Sequence, residues 1–251
     1  MKKYAVSFSV ICMLIFILSQ SIYAQGKRIL VVAPHEDDET LTCAGVMRNA
    51  LLQNDDLKVL SVTDGATAGD QYTIDTRGTE LTNALKTIGF TMDNKTDIMN
   101  RIFYLGYGDY GILSRAYKNK TNPNDVLNFT KTSYGMQNND TTRSFTYNGS
   151  ISVDSFHKSR FGTECQYTRN NILNDFVAVL QEYMPDEIYM PSPYESHPDH
   201  CSCGLFTNEA ILKIKQTKNY SPAVYEYFIY PKEELIPTGF KLLGSYYSNG
   251  Q

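Results

Sequence analysis

Tryptophan is absent from the 251 residues and histidine occurs only four times, so each imidazole is worth locating. No run of lysine and arginine marks a surface for a nucleic-acid backbone, and a net charge of −4 disfavours any polyanionic partner. The first strand-to-helix turn carries no G-x-G-x-x-G pattern and is acidic instead. It would repel a pyrophosphate, which excludes a dinucleotide-binding oxidoreductase. Of five cysteines, Cys12 lies in the apolar N-terminal stretch, and Cys43, Cys165, Cys201 and Cys203 do not form the spacing of a disulfide scaffold. Small buried side chains are the expectation for them. No internal repeat is evident, and 42% hydrophobic with 20% charged residues is an ordinary globular composition.

The N-terminus reads as a targeting segment. Lys2 and Lys3 precede an apolar stretch from about Tyr4 to Leu18, and "SQSIYAQG" follows with a cleavage point after Ala24. Residues 1–24 are therefore expected to be a secretory signal peptide, and 25–251 the working domain. The competing reading is an uncleaved signal anchor, since Tyr4 to Ala24 is long enough to span a bilayer. Membrane contact is expected only in that case. Both place the domain outside the cytoplasm.

The rest alternates. Short apolar runs at 28–34, 57–65, 101–107, 186–193 and 223–231 predict five strands. Helical spacing predicts helices over Thr40–Leu52, Asp75–Leu85, Tyr167–Tyr183 and Pro198–Lys215. Such alternation predicts an α/β, Rossmann-like, doubly wound and mostly parallel sheet with helices on both faces. From Gly108 to Cys165 the periodicity fails and Asn, Thr, Tyr and Gly accumulate. This long insertion after the third strand is expected to fold over the C-terminal edge of the sheet, because a structureless loop of that length is usually functional.

Ligands of open parallel sheets bind at the carboxyl ends of the strands. Strand one runs into "HEDDE", His35 to Glu39, and strand four into "YESHPDHCSCG" with His197, Asp199 and His200. Three of four histidines thus fall at strand ends that a doubly wound sheet can bring together. Imidazoles with a carboxylate suit a divalent metal with open coordination positions.

"APHEDDE" followed much later by "HPDH" resembles the paired motifs of the PIG-L (LmbE-like) zinc-dependent N-deacetylases. "VTDG" at 62–65 and "RGTE" at 77–80 extend the likeness over most of the mature chain. The resemblance implies metal ligands at His35, Asp38 and His200, with zinc or ferrous iron as cofactor. It implies that Asp37 is a general base. His197 would stabilise the oxyanion or protonate the leaving amine, Asp199 would orient an imidazole, and Arg77 would bind substrate. It also implies an N-acetylated amino sugar as substrate, with an N-acetylglucosaminyl conjugate expected. Two positions depart from the pattern: Glu36 replaces a proline, and Glu195 stands where some relatives have a tyrosine.

Other residues have two readings each. Glu36 and Glu39 are read as loop and helix-start charges rather than ligands. Asp64 either binds substrate or makes the turn with Gly65. Arg77 could instead pair with Glu80 along its helix. Tyr134 and His157 are the expected substrate contacts of the insertion, although a histidine there could equally be a packing residue. Two rival functions stand: a metallohydrolase of another amide or ester, and a non-catalytic carbohydrate-binding relative.

Overall fold

A computed structural model describes residues 26–65, 71–109, 111–127, 146 and 153–231, without the side chains of 71–75. The signal or anchor segment and Tyr134 lie outside the described residues. Five strands form one parallel sheet: β1 (Arg28–Ala33), β2 (Asp56–Thr63), β3 (Ile102–Tyr107), β4 (Glu187–Pro191) and β5 (Ala223–Tyr227), in the order β3-β2-β1-β4-β5. The helices are α1 (Asp38–Leu52), α2 (Gln71–Ile88), α3 (Lys95–Arg101), α4 (Ile112–Lys118), α5 (Phe156–Phe161), α6 (Arg169–Tyr183) and α7 (Pro198–Lys215). The chain winds outward from β1 to β3, then returns to the far side of β1 for β4 and β5. The direction reverses between β1 and β4, and there the strand ends leave a crevice.

The alternation of strand side chains divides the core in two. Ile29, Val31 and Ala33 face α1 and α2 with Leu57, Val59, Met47, Leu81 and Leu85. Leu30 and Val32 face α4, α6 and α7 with Leu60, Val62, Leu105, Phe176 and Phe206. With both faces covered, β1 can be apolar without interruption, as its sequence is. Each fully buried Leu or Phe contributes about 1.5–3 kcal/mol to holding the two layers on the sheet.

Helix boundaries follow local chemistry. Thr168 caps α6 by accepting the Asn171 N–H at 3.1 Å, and Met184 ends it in the left-handed region. Pro198 opens α7 at its first turn, where its missing N–H costs nothing. Gly204, on α7, approaches β4 closely: a Cβ there would meet the Pro191 carbonyl at 2.3 Å. That contact seats the second turn of α7 against the end of β4. No described helix is long and apolar enough to cross a membrane.

The insertion follows its sequence reading only in part. Among its described residues are two short helices, one near each end, and these part company. Asp109, Gly111 and α4 lie at the strand ends, α4 packing on α7 through Tyr117 and Phe206, with ring centroids 5.1 Å apart. α5 instead packs beside the start of β3, Phe156 against Phe103 at 5.7 Å. Residues 128–145 are outside the described set. Helices of six or seven residues are too short to show a 3.6-residue period, which is why the sequence hid them.

Candidate metal centre

β1 ends at Ala33, and Pro34 turns the chain so that its carbonyl accepts both the N–H and the hydroxyl of Thr63, at 3.0 and 2.8 Å. His35 follows at the mouth of the crevice. Asp37 is the N-cap of α1, and Asp38 opens the helix and turns back: its Oδ2 accepts the His35 N–H at 2.9 Å. The same Oδ2 lies 3.1 Å from His35 Nδ1 and 3.2 Å from His200 Nε2, and the two nitrogens are 3.2 Å apart. Three lone-pair atoms from two motifs, 165 residues apart, thus form a nearly equilateral triangle.

That triangle fits a divalent ion. Zinc–nitrogen and zinc–oxygen bonds of about 2.0–2.2 Å place neighbouring ligand atoms at about this separation. The outer shell agrees. His35 Nε2 meets Asp109 Oδ1 at 3.0 Å, which fixes the tautomer that turns the Nδ1 lone pair inward. Asp109 is in turn held through its N–H by Asp64 Oδ1, at 3.4 Å. Protonation answers the same field in the metal-free chain. Burial alone would lower His35, yet Asp109, Asp199 and Asp38 raise it well above the usual imidazole value. Burial likewise works against His200, and Asp38 and Glu195 raise it. Burial would raise Asp38, but the two imidazoles outweigh it and hold the carboxyl well below the usual range.

His197, the N-cap of α7, stands beside the triangle with its ring edge-on to His35 at 5.0 Å and 4.7 Å from His200. Burial lowers its pKa, and the neighbouring imidazoles lower it further. Its Nδ1 is buried without a partner among the described residues. A neutral imidazole there can accept a proton or donate a hydrogen bond. Asp37 is exposed at the rim, and Arg77 bridges it to Glu36: Nη2 to Asp37 Oδ1 at 3.1 Å, Nε to Glu36 Oε2 at 3.3 Å. Arg77 is therefore part of the cleft wall and not a partner of Glu80. Gly65, at φ +59°, leaves the room: a Cβ there would meet both Glu36 Oε2 and Arg77 Nε. Burial pushes the Glu36 carboxyl up to about 8 although Arg77 pulls it back.

Three sequence readings change. Asp64 is fully buried and supports Asp109, so it does not reach substrate. His157 is remote from the triangle: its Nδ1 meets Asp175 Oδ1 on α6 at 2.7 Å and its ring packs on Phe161. It is a packing histidine, because α5 lies beside the start of β3. Asp199 is buried near His35 Nε2 at 3.9 Å, but its hydrogen bond comes from the Gly111 N–H at 2.8 Å. The acceptor that orients His35 is Asp109, which the sequence reading passed over. It follows the third strand as His35 follows the first, so the strand-end rule could have found it. Cys43, Cys165 and Cys203 are buried free thiols, as expected of small core side chains.

The chain was compared with known proteins. None of the curated proteins compared matches it. Among solved structures it is similar to N,N'-diacetylchitobiose deacetylase from Pyrococcus horikoshii, at 18% identity and a TM-score of 0.46, over 80% of this chain and 55% of that one. A conserved protein from Thermus thermophilus is 18% identical over 82% of this chain and 67% of its own, at a TM-score of 0.42. A zinc-inhibited form of teicoplanin deacetylase is 16% identical over 80% and 67%, at 0.43. This chain thus spans little more than half the length of the chitobiose deacetylase. The family model of PIG-L, described as GlcNAc-PI de-N-acetylase, matches residues 30–211, from within β1 to within α7, and so takes in both metal motifs. The chain belongs to the PIG-L family.

Proposed function

We propose that the chain is a metal-dependent N-deacetylase that hydrolyses the acetamide of an N-acetylated amino sugar, with N-acetylglucosaminyl conjugates as the substrate class. The observation that carries this reading is the triangle of His35 Nδ1, Asp38 Oδ2 and His200 Nε2, sides 3.1–3.2 Å, with a second carboxylate, Asp37, exposed beside it. Family membership supports the amide and the sugar.

His35, Asp38 and His200 would hold zinc or ferrous iron, and when bound the ion would polarise the amide carbonyl and acidify a water. The protein residues do the rest. Asp37 accepts the proton of the attacking water, a task open to a carboxylate that is not itself a ligand. Arg77 holds Asp37 at the rim and offers its exposed edge to the substrate. His197 donates a hydrogen bond to the oxygen that gains charge, or passes to the departing nitrogen a proton that it has first accepted. Asp109 keeps His35 in the ligating tautomer.

The test is metal analysis of purified protein followed by amine release from N-acetylglucosaminyl conjugates, with zinc and ferrous iron in separate arms. Asp37→Ala is expected to keep its metal and lose about 10²–10⁴ in turnover, the usual worth of a general base. Absence of amine release from metal-loaded protein in both arms refutes the activity. Loss of metal equal to that of Asp38→Ala means the two carboxylates have exchanged roles. We further propose that residues 1–24 carry the domain out of the cytoplasm and are removed. N-terminal sequencing of the exported protein tests this, and a start at Met1 would favour the anchor.

A further inference from the structure

Glu195 and Tyr230 neither hold the ion nor move a proton in the chemistry above, yet both border it, Glu195 Oε1 lying 3.6 Å from His200 Nδ1. Glu195 is 1% exposed, and its carboxylate is spent on backbone: Oε1 accepts the Ile229 N–H at 2.5 Å and Oε2 the Tyr230 N–H at 2.7 Å. The Tyr230 carbonyl returns the contact, accepting the Ser196 N–H and the Ser196 hydroxyl, both at 2.8 Å. An antiparallel bridge joins Glu195 to Pro231. The segment after β5 is thereby stitched across the loop between β4 and α7. Charge-assisted bonds to two consecutive N–H groups, with His200 Nδ1 at 3.6 Å from Oε1, offset the cost of burying this carboxylate.

This stitching delivers a ring. Tyr230 lies 5.6 Å from the His197 ring, tilted by 32°, and 5.3 Å from the His200 ring, edge-on at 64°. It remains 45% exposed, so its neighbours do not close over it. Tyr230 also lies beyond residue 211, where the family match ends.

We propose that Tyr230 is a substrate-facing wall of the metal cleft, packing its ring against the sugar that bears the acetamide, and that Glu195 is its positioning residue. The proposal rests on the deacetylase reading and names a specificity determinant for it. An aromatic face suits the apolar C–H surface of a pyranose, and it is fixed here at both backbone groups of one residue, so little ordering is left for binding to supply.

Kinetics on the metal-loaded full chain, with an N-acetylglucosaminyl conjugate, test it. Tyr230→Ala is expected to raise KM about tenfold with kcat little changed, while Tyr230→Phe keeps a KM near wild type. Glu195→Gln, which cannot accept both N–H groups, is expected to raise KM as Tyr230→Ala does, with metal content unchanged and no added effect in the double variant. A wild-type KM in Tyr230→Ala overturns the wall. Loss of metal from Glu195→Gln in step with activity overturns the positioning role, and if that variant does not fold, Ser196→Ala replaces it, with a smaller rise in KM expected and none overturning the role. Should the wild type turn over nothing, the deacetylase reading falls alone, and calorimetric binding of N-acetylglucosamine decides. Tighter binding by wild type than by Tyr230→Ala sustains the wall, and equal or absent binding overturns it.

Discussion

Among the described residues, one cluster of histidine and carboxylate lies at the strand ends and another between α5 and α6. In the second, Asp175 has both oxygens occupied, one by the Tyr107 hydroxyl at 2.6 Å and one by His157 Nδ1 at 2.7 Å, and Cys165 Sγ accepts a longer bond from the same hydroxyl. Its members satisfy one another. In the first, His35 Nδ1, Asp38 Oδ2 and His200 Nε2 face a common point, while His197 Nδ1, His200 Nδ1 and Asp199 Oδ1 are buried without hydrogen-bond partners among the described residues. A closed network stabilises a fold, whereas a cluster with donor atoms to spare invites a ligand. Residue types alone do not separate them, since His157, Cys165 and Asp175 also come close enough to hold an ion.

The sharpest contrast comes from removing one histidine of each. His200→Ala should reduce bound metal to background and amine release by more than ~10³, since the ion supplies several kcal/mol. His157→Ala should leave both unchanged. Elemental analysis of the two variants checks this, and metal loss in His157→Ala would mean that the second cluster binds as well. Asp109→Asn should weaken metal about 10–100-fold without removing a ligand, read by chelator competition. An unchanged affinity would return the orienting role to Asp199.

Buried carboxylates extend the comparison to pH. Glu39, at the metal end, is fully buried; burial pushes its carboxyl up to about 8, only partly opposed by the Thr40 hydroxyl. The unfolded chain loses that proton near 4.5 while the folded one keeps it to about 8. Stability therefore falls as pH rises through that window, by at most about 1.4 kcal/mol per pH unit, and levels off above it. Glu39→Gln keeps the oxygen that Thr40 uses and removes the titration. Its advantage over wild type should grow from pH 5 to pH 8 in urea unfolding of metal-free protein, and a constant gap would refute this. Asp175→Asn should cost the smaller ~1–3 kcal/mol of a broken buried network, with kinetics of the folded enzyme intact.

Much of this was legible along the chain. The uninterrupted apolar run of β1 announced a strand covered on both faces, and the helical spacing after Thr40 and Pro198 announced the helices that follow the motifs. The strand-end rule then placed His35 and His200 together without any structure. His157 shows where such reading stops. An imidazole in a polar insertion suggests a ligand, but whether it meets a sugar or a buried aspartate depends on the path of the residues around it. α3, α4 and α5 escaped notice because one or two turns carry too few residues to establish a period.

Local physics therefore sufficed for the strands, the long helices and the two motifs, because hydrophobic periodicity and proline act over a few neighbouring residues. Tertiary structure decided the partners. Asp109 reaches His35 across 74 residues, Asp175 meets His157 across 18, and Glu195 holds Tyr230 across 35. A hydrogen bond of 2.7–3.0 Å is a condition on positions in space, and no pattern along a chain specifies which distant groups satisfy it.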